Sequence, residues 1–485
     1  MSARQADVPR RTGGTLELRF AVAAMLAMLA VGWLGTITAD STIPLLVLVG
    51  LGLAVAWHAR TALFMMLGLA LLFEADSPDT LMGPGSLLHG TIGKSSGVSG
   101  LVATPLEILL ILTVAIWLVK GVATRASSFR GGRLTLPISL FGISLVAGLG
   151  RGLASGGDAY LALWESRWLF YIVICYFLAT GLVRTRRHVE TLTGLAIAGT
   201  GLYAIEGAYR RIALIDTGRL AGAPEGWYSH ESVIFLVAFL MLVVAQWAFG
   251  APRWQRLADL ALAPIALFTL FASERRAGMI ALIVAFGVMS IVLLVTHRKA
   301  FVLICLPAMI AFGAYLPLFW NNSSVLGQPA RAIRSLSAPD PRDAASNRAR
   351  DLEVINVSAT LTSDPLLGVG FGRPFLQVVT TPDISWFPLW NYEPHRNVLW
   401  IWLKTGAAGF IAFLLLVGSA MALAANLIRT STAPSIRVFA AFALAGVVAT
   451  LVFSYVDLGL TSGRVTLFLG VILGTLGVLD RIEDA

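Results

Sequence analysis

The sequence predicts an all-α polytopic membrane protein: about fourteen membrane-spanning helices (range about 12–14) and one large loop that carries short helices. Three observations predict it. Of 485 residues, 57% are hydrophobic and only 13% charged, with a mean hydropathy of +0.79; a soluble domain carries about 25% charged residues. The apolar residues fall in blocks of roughly 15–25, the length that crosses a bilayer. Lysine and arginine collect in every second loop between those blocks.

The blocks run 20–37, 42–57, 61–74, 101–119, 134–150, 164–182, 188–206, 230–248, 258–272, 277–296, 299–319, 398–427, 437–455 and 464–480. The first follows a polar start and shows no Ala-x-Ala cleavage site after it, so it reads as a retained anchor. The stretch 42–74 is either two short helices broken at His58-Ala59-Arg60 or a re-entrant pair. Pro264 and Pro307 are tolerated within membrane helices.

Charge then orients the bundle. One set of loops holds Arg4, Arg10 and Arg11, then Arg60, then Lys120, Arg125, Arg130 and Arg133. It continues through Arg184, Arg186 and Arg187 to Arg253 and Arg256, Arg298 and Lys299, Arg429 and Arg437. The opposite loops are short or acidic, with Asp40, then Glu74, Asp76 and Asp79, then Asp158. By the positive-inside rule the basic set is cytoplasmic. The expected organisation is a cytoplasmic tail (1–19), a helical bundle (20–319), a periplasmic loop (320–397), further membrane helices (398–480) and a second cytoplasmic tail (481–485), in a bacterial inner membrane.

Composition excludes several functions. The net charge of +9 is scattered between apolar blocks, with no basic helix or aromatic-basic platform, which argues against nucleic acid. Cys175 and Cys305 lie within spans and act as small apolar residues facing core or lipid. No disulfide framework and no metal-ligand spacing is present.

The loop 320–397 is too long for a connector. Residues 343–363 read as an amphipathic helix with Leu352, Ile355, Ala359 and Thr362 on one side. Asp364-Pro365 ends it. Gly368-Val-Gly-Phe-Gly372 follows as a tight turn, without the strand, helix and Lys-Ser/Thr context of a nucleotide loop. Trp386, Trp390 and Tyr392 suit the membrane interface, with carbohydrate stacking as the alternative.

Ionisable residues at membrane depth mark candidate chemistry. Arg167 opens the sixth span, as a snorkelling anchor beside Glu165 or as a ligand for an anion. Arg275 and Arg276 occupy an outward turn that the positive-inside rule disfavours, so they ask for an anionic partner. Arg210, Arg211 and Arg219 lie in another outward loop; Arg331, Arg334, Arg342, Arg348, Arg350 and Arg373 lie in the large one. Guanidinium forks suit phosphate and pyrophosphate, and Arg348 is the preferred choice of the loop group. His395, at the mouth of the twelfth span, titrates near neutrality and suits a general base, or else a capping or interface residue.

At this point the sequence resembles the O-antigen ligase and polymerase superfamily of bacterial membrane glycosyltransferases. The signature is a histidine before a span, a leucine four residues on, and Gly-x-x-Gly beginning eleven residues on. Here it reads His395, Leu399, Gly406 and Gly409. Arg396 stands where the family has asparagine, and Asn397 follows one position later. Ser273-Glu-Arg275-Arg276-Ala277-Gly278 is similar to the family's Ser-Arg-Gly-Ala, with the register open between the two arginines. Asn347-Arg348 followed by Pro365-Leu-Leu-Gly368-Val-Gly370 resembles its loop helix and turn. The resemblance covers about 270–410.

What the resemblance implies is a GT-C-like bundle and a metal-independent, inverting transferase without a cofactor. Its donor would be a glycan on undecaprenyl pyrophosphate. His395 would activate the acceptor hydroxyl, and Arg275, Arg276, Arg348, Arg167, Arg210, Arg211 and Asn397 are the candidates for holding pyrophosphate or substrate. A surface-polysaccharide or exopolysaccharide polymerase is the leading reading. A ligase acting on lipid A–core and a flippase or transporter for anionic lipid-linked glycan are the alternatives, as is a structural protein that binds anionic lipid. A flippase and a chain-length regulator are the expected protein partners.

Overall fold

A computed structural model of the chain describes residues 52, 55–74, 104–124 and 129–483. The first predicted span (20–37), almost all of the second (42–57), the acidic 75–79 segment and the Gly/Ser-rich loop to residue 103 lie outside the described residues. So does the choice between broken and re-entrant geometry for 42–74.

From the third block onward each predicted span coincides with a helix: α1 (Ala59–Leu72), α2 (Pro105–Ala123), α3 (Thr135–Ala154), α4 (Ala159–Leu182), α5 (Arg186–Tyr209) and α6 (Ser232–Phe249). Then come α7 (Arg253–Ala272), α8 (Arg276–Thr296) and α9 (Arg298–Phe319). The helix α10 (Pro341–Ser363) belongs to the large loop, and α11 (Asn397–Thr430), α12 (Pro434–Val456) and α13 (Gly463–Leu476) complete the bundle. No strand occurs among the described residues. Nine of these helices are long and apolar enough to cross a membrane.

Burial ranks the helices. In α12 and α6, 83% and 78% of the membrane-length stretch is buried, against 6% in α9. The first two therefore form the centre, and α9 is peripheral. Cys175 and Cys305 both face the core. Small residues bring backbones together, as is usual where lipid supplies no hydrophobic driving force between helices. A Cβ on Gly470 or Gly474 of α13 would stand 2.6 Å from Cys175 Cβ or 2.5 Å from the Tyr176 carbonyl oxygen on α4.

The two ends of the bundle differ. One is stitched by basic side chains: Arg60 Nε donates to the Leu182 carbonyl at 3.1 Å, and Arg133 pairs with Asp480 at 2.7 Å. The other carries the large loop. There α10 begins at an Asp340 cap, whose carboxylate accepts the Asp343 N–H at 2.8 Å, with Pro341 at the first helical position.

The inward face of α10 differs from the periodicity reading. Ile355 is 48% exposed and Thr362 is exposed, while Leu352 and Ala359 are half-buried. The buried residues are Glu353, Asn356, Val357, Thr360 and Leu361. The reason is polar: Asn356 accepts the N–H groups of Val378 and Val379 at 2.9 and 2.8 Å, and Glu353 faces His395. Apolar spacing alone could not reveal a helix that docks through hydrogen bonds.

Candidate functional site

The loop is seated by a glycine thread laid into a broken helix. Gly368, Gly370 and Gly372 have φ of +66°, +83° and +78°, and Gly406 interrupts α11 with φ +69°, ψ −175°. These left-handed values are cheap only for glycine. The thread exchanges backbone hydrogen bonds across the break: Val369 N–H to the Leu403 carbonyl at 2.8 Å, and Ala407 N–H to the Leu366 carbonyl at 3.0 Å. It also runs against α3, where a Cβ on Gly152 would stand 1.9 Å from the Phe371 carbonyl oxygen. What read as a tight turn is a close backbone-to-backbone dock.

A buried ion pair fixes the same junction. Lys404 Nζ lies 2.8 Å from Glu165 Oε1, both side chains fully buried. Glu165 also accepts the Gly372 N–H and the Trp400 indole N–H, each at 2.9 Å, and Lys404 donates to the Arg373 carbonyl at 2.6 Å. The Tyr392 ring lies 5.5 Å from Lys404 Nζ, and Trp386 is 83% exposed. Glu165 therefore pairs with Lys404, not with Arg167.

This dock holds His395 at the doorstep of α11, against α10. Glu353 accepts the His395 backbone N–H at 2.8 Å and lies 3.0 and 3.1 Å from Nδ1 through its two oxygens. Burial lowers the imidazole's proton affinity, but the hydrogen bond and charge of Glu353 outweigh it and leave the pKa above the usual histidine value. With Nδ1–H committed to the carboxylate, Nε2 is the nitrogen left to take a proton; the tautomer follows from that hydrogen bond.

Arginines approach from two further elements. Arg350, one turn before Glu353 on α10, reaches Asp457 at 3.4 Å. Asp457 follows α12, and although burial raises its pKa, His230, Arg350 and His395 bring it well below the usual carboxylate range. His230 Nδ1 stands 3.6 Å from Asp457 and 3.1 Å from Arg275 Nη1, while Arg275 Nη2 donates to the Tyr228 carbonyl at 3.1 Å. Arg275 precedes α8 in a turn where Glu274 has φ +53°, a conformation uncommon outside glycine. Burial pulls its guanidinium pKa down, partly opposed by Asp457 and Glu231. His395, Glu353, Arg350, Asp457, His230 and Arg275 thus form one connected cluster.

The other predicted residues fall differently. Arg276 turns to α10, 3.3 Å from both Asp343 and Asn347. Arg348 is exposed. Arg167 pairs with Glu107 at 3.3 Å and stacks 4.0 Å over Trp168. Arg210 is buried with Glu74 at 2.6 Å and Glu206 at 3.6 Å, and Arg211 pairs with Asp216 at 2.9 Å and Glu274 at 3.1 Å. Asn397 is fully buried; it donates to the Pro394 carbonyl at 3.1 Å and accepts the Leu460 N–H at 2.8 Å, which ties the link after Asp457 to the start of α11.

By residue type alone Glu353, Asp457, His230 and Arg464 carry no assigned role, and Arg350 is one of the loop arginines. One signal was present: Arg350, Glu353 and Val357 recur at three and four residues along α10, so they share a face.

A family model described as O-antigen ligase matches residues 260–414, which holds Arg275, Arg276, α10, the glycine thread and His395. This is about a third of the chain, and it supports the superfamily resemblance drawn from the histidine signature. No curated protein matches the chain. The matched segment, set in a bundle of membrane-length helices, is similar to the O-antigen ligase family. His230 and Asp457 join the cluster from outside that segment.

Proposed function

We propose that the protein polymerises a surface or exopolysaccharide by transferring glycan from undecaprenyl pyrophosphate at the periplasmic face of the inner membrane. The observation that carries this reading is the Glu353–His395 pair, in which a carboxylate orients an imidazole at the mouth of a membrane helix. Sidedness rests on Arg60, Arg133 and the other basic loops lying at the end away from that pair.

The reaction is a single displacement. The acceptor hydroxyl oxygen bonds to the anomeric carbon as its proton passes to His395 Nε2, and the bond from that carbon to the pyrophosphate oxygen breaks with inversion. Glu353 stabilises the imidazolium that forms. The departing pyrophosphate gains charge, which Arg275 and Arg350, fixed before the reaction, stabilise at little reorganisation cost. Arg276 and Arg348 guide the anion from the side of α10. The mechanism asks for no metal or nucleotide; a flippase delivers the lipid-linked unit and a chain-length regulator limits the product.

Product analysis in a strain lacking the protein tests this. Restoring the wild-type gene yields long-chain glycan, whereas His395→Ala and Arg276→Ala insert normally and yield none. Normal product from both variants would sink the enzyme reading. Accumulated single repeat units identify a polymerase, and free full-length lipid-linked chains identify a ligase.

A further inference from the structure

Leu366 and Leu367, which join α10 to the glycine thread, are 71% and 58% exposed. Adjacent exposed apolar side chains mark a contact with protein or with membrane.

Two helices fix their height. Arg151 stands in the last turn of α3, and its Nε donates to the Gly368 carbonyl at 2.6 Å. The 20 residues of α3 span about 30 Å, the thickness of the hydrocarbon layer, so Gly368 lies level with one boundary of that layer. The break in α11 gives the same level. A Cβ on Gly406 would stand 2.2 Å from the Leu366 carbonyl oxygen and 2.7 Å from Leu367 Cα, so both leucines rest on that break. Residues 407–430 beyond it measure about 36 Å and cross the layer unaided.

The exposed stripe of α11 leads to the same place. Ile411, Leu414 and Leu415 share one exposed face of this membrane-length helix. Ala407 lies one turn above Ile411 on that face, and its N–H donates to the Leu366 carbonyl at 3.0 Å. Phe410 stacks on Trp402 across the break, with centroids 5.2 Å apart. The two leucines therefore continue a lipid-facing surface upward from the span.

The thread's backbone suits a medium poor in water. Besides the bonds across the break, the Pro365 carbonyl accepts the Trp402 indole N–H at 2.8 Å, and the Gly368 N–H donates to the Asp364 carbonyl at 3.1 Å. Non-helical backbone at membrane depth is tolerated where protein satisfies its polar groups. Trp402, with an apolar body and a committed N–H, belongs to the residue type enriched at that level.

We propose that Leu366 and Leu367 insert among the lipid acyl chains at the loop's end of the bundle, as a two-residue hook that anchors the large loop to the bilayer. The hook follows α10 directly, so the membrane surface sets the height of the helix that carries Arg350 and Glu353. This anchoring stands independently of the transferase reading.

The test is fluorescence quenching of full-length protein in nanodiscs. Single cysteines replace Leu366, Leu367, Ile411 or Asp351, and each is labelled with bimane. Cys175 and Cys305 are buried, and the unsubstituted protein gives the labelling background. The Asp351 side chain is 68% exposed and serves as the reference for water; Ile411 serves as the reference for lipid. Doxyl-labelled phosphatidylcholine should quench Leu366→Cys and Leu367→Cys within about twofold of Ile411→Cys. Iodide should quench them at least fivefold less than Asp351→Cys. Iodide quenching equal to that of Asp351→Cys would place the leucines in water. Shielding from both quenchers would mean that protein covers them, a second copy or another chain. Either result overturns the proposal.

Discussion

Two arginine clusters occupy the same end of this bundle, and they behave in opposite ways. Around Arg210 every charge is enclosed: its side chain and that of Glu74 are each 2% exposed and 2.6 Å apart. Glu74 also accepts from the Tyr203 hydroxyl at 2.7 Å and the Ser229 N–H at 3.0 Å. Around His395 the carboxylates of Glu353 and Asp457 are 9% and 6% exposed, but the imidazole and the Arg350 guanidinium remain open, at 31% and 25%. Identical chemical groups are spent on structure in one place and left reachable in the other. An outward arginine is therefore informative only together with its partners and its access.

The sharpest way to break this comparison is to delete one charge from each cluster. Arg210→Ala strands the Glu74 carboxylate in the interior and should cost about 3–5 kcal/mol of stability, read as a lower melting temperature or lost yield. Arg275→Ala should melt near wild type yet lose about 10²–10³-fold in turnover, measured on purified protein, because its proposed role is to meet developing charge. If the two variants exchanged these phenotypes, the division into structural and reactive clusters would be wrong.

A smaller effect sharpens the His395 assignment. The base must be unprotonated, so turnover should rise as pH passes the imidazole pKa. That pKa lies above the usual value because of Glu353. Glu353→Gln should therefore shift the rising limb of the pH–rate profile to lower pH while cutting the maximal rate about tenfold through lost orientation. A rising limb that stays in place would detach Glu353 from the base. For stability the sign is opposite: the elevated pKa favours folding below the unfolded histidine value, a contribution lost as pH climbs through the folded one.

Glu74 supplies the acid-side counterpart. Burial raises its pKa, but Arg210 and Arg464 outweigh that and leave it below the ordinary carboxylate value. Its contribution to stability is present above the unfolded carboxylate pKa and lost as pH falls through the depressed one. The least effect is expected at Arg396–Asp351, a 3.2 Å pair with exposures of 31% and 68%. Arg396→Ala should change stability by about 1 kcal/mol or less in a thermal melt.

Much of this was legible in the sequence. Hydropathy located each helix of the bundle from Ala59–Leu72 onward to within about five residues, because crossing a bilayer demands a long apolar run. His395 was legible through its spacing to Leu399, Gly406 and Gly409, and Gly406 proves to be the break that admits the glycine thread. Glu353 was not legible. Its partner lies 42 residues away, and the helix that carries it buries polar groups where an apolar stripe was expected. Arg464 was hidden for a related reason: it opens a span that hydropathy marks only by its apolar run, and its side chain turns inward to Glu231 and Ser232.

The central claim is that His395, oriented by Glu353, takes the acceptor's proton. Its most direct test is single-turnover transfer by purified protein in nanodiscs, preloaded with extracted lipid-linked glycan. His395→Ala should bind the donor as wild type does and transfer it about 10²–10⁴-fold more slowly. Transfer at the wild-type rate with His395 absent would contradict the account.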